Sequence, residues 1–381
     1  MKYFFSILIL GMGYILWNLN PKVPAHYDSP IYKELCKTDF GPFDREKTLN
    51  ISIGIDYLPY ELIEIFEEIT GVKVMVDIFD SNEILEAKLL AGGTQYDIVF
   101  PTAWPNFSRQ LEAKLYRQID RNRLDYSQFN PILIEKLAIY NDGDKYCIPY
   151  QFGISGIGLD EKLFEKVLPG MDKCDLAIFL DPKNAEKLAK VRISVYDSAE
   201  ELFPMVLCYL GLDPESNNEE DIIKAAEHLK KVRKYIYKFT SYGFEDLSSQ
   251  NVAMGLGTSG DIIKAGQENP KASIKFFRPK QGTALWIDVM AIPVNARHVK
   301  NAYAFFKFLL HPLVISEVTN QTSRANCVPA ANKFVDSEIV DDENIYPSDD
   351  FIKQCYVERP VSANVSALRT RLLTKIKSIK E

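Results

Sequence analysis

Between Asn50 and Phe100 the hydrophobic pattern switches repeatedly between a period of two and a period near 3.6. No other feature limits the fold as tightly. Asn50 to Ile55 reads as a strand. Leu58 to Ile69 follows as a helix, with Leu62, Ile65, Phe66 and Ile69 on one stripe. Gly71 stands where a helix needs a left-handed C-terminal cap. Lys73 to Phe79 is a second strand, and Asp80 with Glu83 predicts a capping box for the next helix, which runs to Gly92-Gly93. Tyr96 to Phe100 is a third strand. Strands and helices alternating through short links predict an α/β fold with a parallel, doubly wound sheet. Ligands of such sheets sit beyond the carboxyl ends of the strands. Asp56-Tyr57 and Thr102-Ala-Trp104 follow the first and third strands and therefore fall at that edge.

Ile148 to Gly158 is an extended stretch bearing glycines, and it separates this unit from a second one. The second unit holds a strand at Arg192 to Tyr196, helices at Ala199 to Leu210 and Asp221 to Tyr237, and a strand at Val252 to Gly255. A helix at Asn301 to Leu310 and another after Ala363 complete the pattern. A chain that leaves one lobe and later returns predicts two lobes joined by several crossings. Their cleft is a natural small-ligand site, and hinged closure is the expected motion. The expected division is 48–153 with 288–331 for one lobe and 154–287 with 332–381 for the other.

Late in the chain, Thr283 to Ala296 reads as a strand in which Trp286 and Asp288 lie two residues apart. Alternate strand residues share a face, so both point the same way. A Trp face beside a carboxylate suits an organic cation, through cation–π attraction and charge-assisted hydrogen bonds. The plainer reading is a packed Trp next to a surface Asp.

The composition is globular, with 46% hydrophobic and 25% charged residues and a net charge of −7, and no basic cluster suggests a nucleic-acid partner. Lys2 followed by the uncharged, mostly apolar run Tyr3 to Trp17 fits a secretory signal, shorter than the roughly 20 residues of a membrane span. Cleavage after Ala25 is expected, with an uncleaved anchor as the rival, and it would remove Lys2 and Lys22 and take the charge to −9. Export permits disulfides, but the six scattered cysteines form no C-x-x-C pair and their connectivity is open. The four histidines do not pair at metal-ligand spacing, so neither a metal nor a cofactor is expected. Gly255-Leu-Gly-Thr-Ser-Gly260 matches G-x-G-x-x-G, yet Lys280 stands where a dinucleotide site wants an acid. A cleft-lining loop, whose following helix start offers N–H groups to an anion, is the better reading. Acidic pairs such as Glu200-Glu201 would be required of an exported hydrolase, but they read first as surface charge.

Several segments in order resemble the spermidine/putrescine-binding periplasmic proteins of ABC importers: Asp56-Tyr-Leu-Pro59, Ser81-Asn-Glu83, Tyr96 to Pro101, Ile148-Pro-Tyr150 with Gly153, Trp286 to Ala296, and Phe308 to Pro312. The resemblance runs from about Asn50 to the C-terminus. It implies a two-lobed type II periplasmic binding protein fold, an amine in the cleft, an inner-membrane permease with its ATPase as partner, a periplasmic location and a monomer. It also implies that Asp288 holds an ammonium group and that Trp286 packs on the methylene chain. Tyr57 matches a family aromatic, and Asp56 falls on a glutamate. Thr102 and Trp104 fall on a serine and a tyrosine, Glu201 on a cleft glutamate, and Glu358 on a glutamine.

The chain also departs from the family pattern. Gly54 and Leu256 stand where the family has Trp, Ser198 stands for an aspartate with Asp197 adjacent, and Arg324 stands for a cleft Tyr. An Arg in the cleft repels a polyamine and attracts a carboxylate. A zwitterionic amine, held by Asp288 and Arg324, is therefore the alternative ligand. A ligand-loaded sensor and an exported hydrolase are the alternative functions.

Overall fold

A computed structural model describes residues 30–379 apart from Tyr242 and Pro360; the expected export signal lies outside the described residues. The first strands are β1 (Thr48–Gly54), β2 (Lys73–Phe79) and β3 (Ile98–Val99). β1 pairs in parallel with both of the others. The helix Tyr60–Thr70 between β1 and β2 buries Leu62, Ile63, Ile65 and Phe66 and ends at Gly71, which takes φ 67° and returns its N–H to the Glu67 carbonyl. The next helix, Asn82–Ala91, is capped at Ser81 and not at Asp80, and Ser81 makes no side-chain capping bond. The expected capping box is therefore absent: the helix begins one residue too late for Asp80, and Glu83 instead faces the cavity described below.

β4 (Cys147–Asp160) is the long strand of the molecule, and it serves both lobes. Its first half pairs antiparallel with β9 (Leu285–Ala291), which itself runs antiparallel to β3. Register slips between Pro149 and Gln151, where the proline has no N–H to give. From Ser155 onward β4 instead pairs antiparallel with β7 (Met254–Thr258) and β8 (Ile274–Phe277). β5 (Ser194–Tyr196) pairs in parallel with β6 (Lys238–Thr240) and joins β7 through the Ile193–Met254 bridge. β10 (Ala325–Asn326) closes the other edge of β4, so the larger sheet runs β2-β1-β3-β9-β4-β10.

The sheet is thus mixed, where a fully parallel one was expected. β9 returns from the second lobe and inserts beside β3, a pairing 192 residues apart at Val99–Ala291 that no local periodicity encodes. The expected helix Asp221 to Tyr237 covers Glu219–Val232 and then tightens to a 3-10 turn at Arg233–Tyr235. β6 and β8 were not expected at all. Two apolar clusters hold the lobes. One is built on β1, β3, β9 and the Val299–Leu309 helix, including the contacting rings Phe66, Phe305 and Phe308. The other is built on Ile157, Leu159, Val195 and the helix Ala199–Tyr209. Among the described residues no helix is long and apolar enough to cross a membrane.

Candidate functional site

The insertion of β9 beside β3 sets the chemistry at the carboxyl edge of the sheet. It brings Asp288 opposite Thr102, the first residue beyond Pro101, and the Thr102 hydroxyl donates to Asp288 Oδ1 at 2.8 Å. The loop after β1 delivers Tyr57, a second hydrogen-bond partner of Asp288. Its backbone is held in turn by the Tyr150 hydroxyl, which donates to the Tyr57 carbonyl at 2.7 Å. Asp288 is 2% exposed. Burial lifts its carboxyl to about 6, although Thr102, Arg324 and Tyr57 all favour the ionised form.

Tyr57, Thr102, Asp288 and Arg324 line one cavity of about 740 Å³ between the lobes. From the sequence-predicted set it collects Tyr57, Thr102, Trp104, Glu201, Trp286, Asp288, Arg324 and Glu358. Asp56 is not among the lining residues: it is exposed, and its carboxylate meets Lys264 Nζ at 2.7 Å. Its backbone sits at φ 57°, which turns the chain so that Tyr57 and not Asp56 enters the cavity.

A continuous wall of side chains leads away from Asp288. Trp104, two residues beyond Thr102, stacks on Tyr140 at 6.2 Å between centroids. The Tyr140 hydroxyl donates to the Glu358 carbonyl at 2.7 Å. Glu358 lies close enough to Glu201 and Glu200 that the three repel one another. Burial, then these neighbours, push the Glu358 carboxyl well above the usual range against the opposing pull of Arg369. Burial lifts Glu201 to about 7, opposed by its bond to Ser198 and aided by Glu200 and Glu83. Ser198 caps the helix Ala199–Tyr209 and so fixes Glu201 in its first turn. Ser366 donates to Glu200 Oε1 at 3.1 Å. The cavity therefore has acids at two separate places, Asp288 with Asp261 at one and Glu200, Glu201 and Glu358 at the other, with Trp104 and Tyr140 connecting them. Arg324 and Arg369 offset these acids only in part, and an organic cation is a group that relieves the remaining charge.

Trp286 projects from β9 over Gly153 of β4, its cross-strand partner. A Cβ at Gly153 would come 2.8 Å from Trp286 Cε2 and nearer still to Cζ2. The indole N–H is buried and lacks a protein acceptor. Gly153→Ala is therefore expected to push the ring into the cavity and to weaken any ligand by about tenfold or more, read by calorimetry, and to lower the melting temperature through overpacking.

The departures from the family pattern have physical explanations. Gly54 leaves room for Tyr57, whose ring carbon Cε2 would be 2.9 Å from a Cβ there, so Tyr57 fills the space of the missing side chain. Leu256 is a core residue of the second lobe and does not line the cavity. Asp197 does not replace Ser198, because it faces out to an ion pair with Lys377. Arg324 is in the cavity but is already engaged. Its guanidinium lies 4.8 Å from the Tyr57 ring centroid, and its Nη2 is 3.4 Å from Asp261 Oδ1. The helix start after Gly255 to Gly260 thus presents Asp261 rather than a vacant anion site, and Thr258 caps it by accepting from the Asp261 N–H. Asp261, Tyr140, Glu83 and Arg369 were not found in the sequence. Glu200 was read there as surface charge. Only Glu200, adjacent to a family glutamate position, and Glu83, in the Ser81-Asn-Glu83 segment, carried a signal.

The six cysteines are free thiols in the structure. Among the described residues no group of His, Cys, Asp or Glu is placed to hold a metal.

A family model described as bacterial extracellular solute-binding protein matches residues 61–347. The chain is 34% identical over 342 residues to the putrescine-binding periplasmic protein SpuD of Pseudomonas aeruginosa, covering 87% of this chain and 92% of that protein. It is 34% identical over 343 residues to the putrescine-binding periplasmic protein PotF of Escherichia coli, with the same coverage of 87% and 92%. Among solved structures it resembles the spermidine/putrescine ABC transporter substrate-binding protein PotD of Streptococcus pneumoniae, with a TM-score of 0.76 at 24% identity over 87% of this chain and 98% of that one. The chain belongs to the bacterial extracellular solute-binding protein family, with the two-lobed α/β fold of its PotD-type members.

Proposed function

We propose that the chain is the extracytoplasmic receptor of an ABC importer. It holds a polyamine of the putrescine kind between its lobes and delivers it to a membrane permease driven by an ATPase. One observation carries this reading: carboxylates lining one cavity, the buried Asp288 at one place and the half-buried Glu201 and Glu358 at the other, joined by the Trp104–Tyr140 stack. Two ammonium groups on an apolar chain match that pattern, with charge-assisted hydrogen bonds at the ends and aromatic faces along the methylenes. The names of the relatives support the same ligand class.

In this reading Asp288 takes one ammonium with Thr102 and Tyr57 fixing its orientation. Trp286 and Trp104 pack on the chain, and Glu201 and Glu358 take the second ammonium. Asp56 serves closure instead, through Lys264 of the helix Ser259–Glu268. The lobes divide as 48–153 with 288–331 and 154–287 with 332–381, with β4 and β9 as crossings. The protein works as a periplasmic monomer, as a binding protein and not an enzyme. A zwitterionic ligand is less well matched, because Asp261 already answers the charge of Arg324.

Titration calorimetry of the purified protein at pH 7.5 tests this. Putrescine is expected to bind with a Kd of about 10 μM or tighter, and glycine, γ-aminobutyrate and glucose with no measurable heat. Tight binding of γ-aminobutyrate with none of putrescine would replace the polyamine reading by the zwitterion one.

A further inference from the structure

The second lobe carries a basic face that the ligand site does not use. Between Glu227 and Glu245 the chain holds five bases and no acid, and between Glu358 and Glu381 six bases and no acid, in a protein whose net charge is −7. Folding lays parts of these runs side by side. The first closes the helix Glu219–Val232, tightens into the turn Arg233–Tyr235 and enters β6, while the second ends the helix Ala363–Lys377. Arg233 ties them together: Nε donates to the Ile376 carbonyl at 3.2 Å, Nη2 to the Lys377 carbonyl at 3.3 Å and Nη1 to the Ile236 carbonyl at 3.1 Å. One guanidinium thus caps the last helix and holds the chain that leads into Tyr237.

The acids near this face are already answered. Glu227 pairs with Lys230, Asp197 with Lys377, and Asp246 with Lys238 at 2.8 Å. Among the described residues no carboxylate pairs with Arg192, Lys231, Lys234 or Lys375, all of them exposed. Rings stand between these bases: Arg192 lies 4.9 Å from the Tyr237 ring centroid, and Lys234 4.8 Å from that of Tyr235. Tyr237 is 58% exposed, and Ile379, just past the last helix, is 42% exposed. The face is also turned away from the cavity. Arg192 and Tyr237 precede β5 and β6, whereas Ser198 and Ser241, beyond the carboxyl ends of those strands, line the cavity.

We propose that this face docks on an anionic phospholipid surface and keeps the protein at the membrane with its cleft free. Exposed bases meet lipid phosphates, an amphipathic tyrosine ring sits at headgroup level, and an aliphatic side chain enters the acyl boundary. Each unpaired base beside anionic headgroups corresponds to roughly fivefold in affinity. The proposal goes beyond the amine-receptor reading and does not depend on which ligand the cavity holds.

Vesicle flotation tests this, with pure phosphatidylcholine compared with the same lipid containing about 30% phosphatidylglycerol. The readout is the ratio of the two affinities, because the apolar run Tyr3 to Trp17, where retained, acts on both kinds of vesicle. Wild type is expected to prefer the anionic vesicles by about 100-fold at low salt, and to lose most of that preference in about 0.5 M NaCl. Lys231→Glu with Lys234→Glu is expected to cut the ratio by about 25-fold or more. Lys300→Glu with Lys333→Glu makes the same change in net charge at exposed positions on elements that pack on the other apolar cluster, and is expected to leave the ratio within about threefold. A cooperative thermal melt in both double variants shows that they are folded. Equal affinity of wild type for the two vesicles would overturn the proposal and leave the face to an acidic protein surface. Equal losses in the two double variants would also overturn it, since net charge and not this face would then be the cause. Either result leaves the amine-receptor reading intact, because none of the four substituted residues lines the cavity.

Discussion

Asp288→Ala is expected to weaken amine binding by roughly 100-fold to several-thousand-fold, the range found when one partner of a buried, hydrogen-bonded charge pair is truncated. The carboxylate is 2% exposed, and its partners Thr102 and Tyr57 leave it oriented toward the cavity. Asp288→Asn separates charge from shape. Its amide oxygen still accepts from Thr102 and Tyr57, so a comparable loss in this variant would assign the effect to the missing negative charge. Stability should move the other way. An unneutralised buried carboxylate disfavours the empty folded state at pH 8, so Asp288→Asn should melt no lower than wild type without ligand. Asp288→Ala should melt below Asp288→Asn, because it leaves the Thr102 and Tyr57 hydroxyls without an acceptor. Calorimetry and thermal melts together decide the matter: putrescine affinity within about threefold of wild type in Asp288→Asn would remove Asp288 from the charge-binding role.

The first α/β unit was legible because its information is local. The stripe of Leu62, Ile65 and Phe66 and the glycine at position 71 each act within a few residues of themselves, and the strands and helix follow from them. The spacing of Trp286 and Asp288 was legible for the same reason, since a strand puts alternate residues on one face. What joins these pieces was not local. Thr102 and Asp288 are 186 positions apart, Lys264 and Asp56 are 208, and the mixed sheet exists only because β9 returns between β3 and β4. Arg324 shows the limit most clearly. Its charge reads from sequence as attraction for a ligand carboxylate, and only the folded chain shows Asp261 across the cleft meeting that charge. Gly54 is the converse case: the missing side chain reads as lost aromatic surface, while the structure fills the space with the neighbouring Tyr57 ring.

Acidification is expected to release the amine. Burial raises Asp288 to about 6 and Glu201 to about 7, and Glu358 lies well above the ordinary carboxylate range. A carboxyl whose folded value lies above its unfolded value of about 4 stabilises the empty protein fully below that value. The contribution is lost as pH rises through 6 to 7, where the cavity must hold charge. An ammonium ligand binds the ionised form and reverses that loss. Affinity should therefore be highest near pH 8, where the ligand's ammonium groups are still protonated, and fall by about tenfold per unit below pH 6 through Asp288 alone, with Glu201 adding a further decline that begins near 7. Binding at pH 6.5 should release protons, so the calorimetric heat should change with the ionisation enthalpy of the buffer. The melting temperature of the empty protein should decline from pH 5 to pH 8, and putrescine should raise it more at pH 8 than at pH 5. Burial lowers the affinity of His298 for a proton, but Asp97 and Glu46 outweigh it and leave the imidazole raised, so its stabilisation is also lost with rising pH. That background is common to wild type and Asp288→Asn, and the difference between their two pH profiles isolates the cavity carboxylate. A putrescine Kd constant from pH 5 to pH 8 would show that the amine does not depend on these acids, and the site would have to be sought away from Asp288 and Glu201.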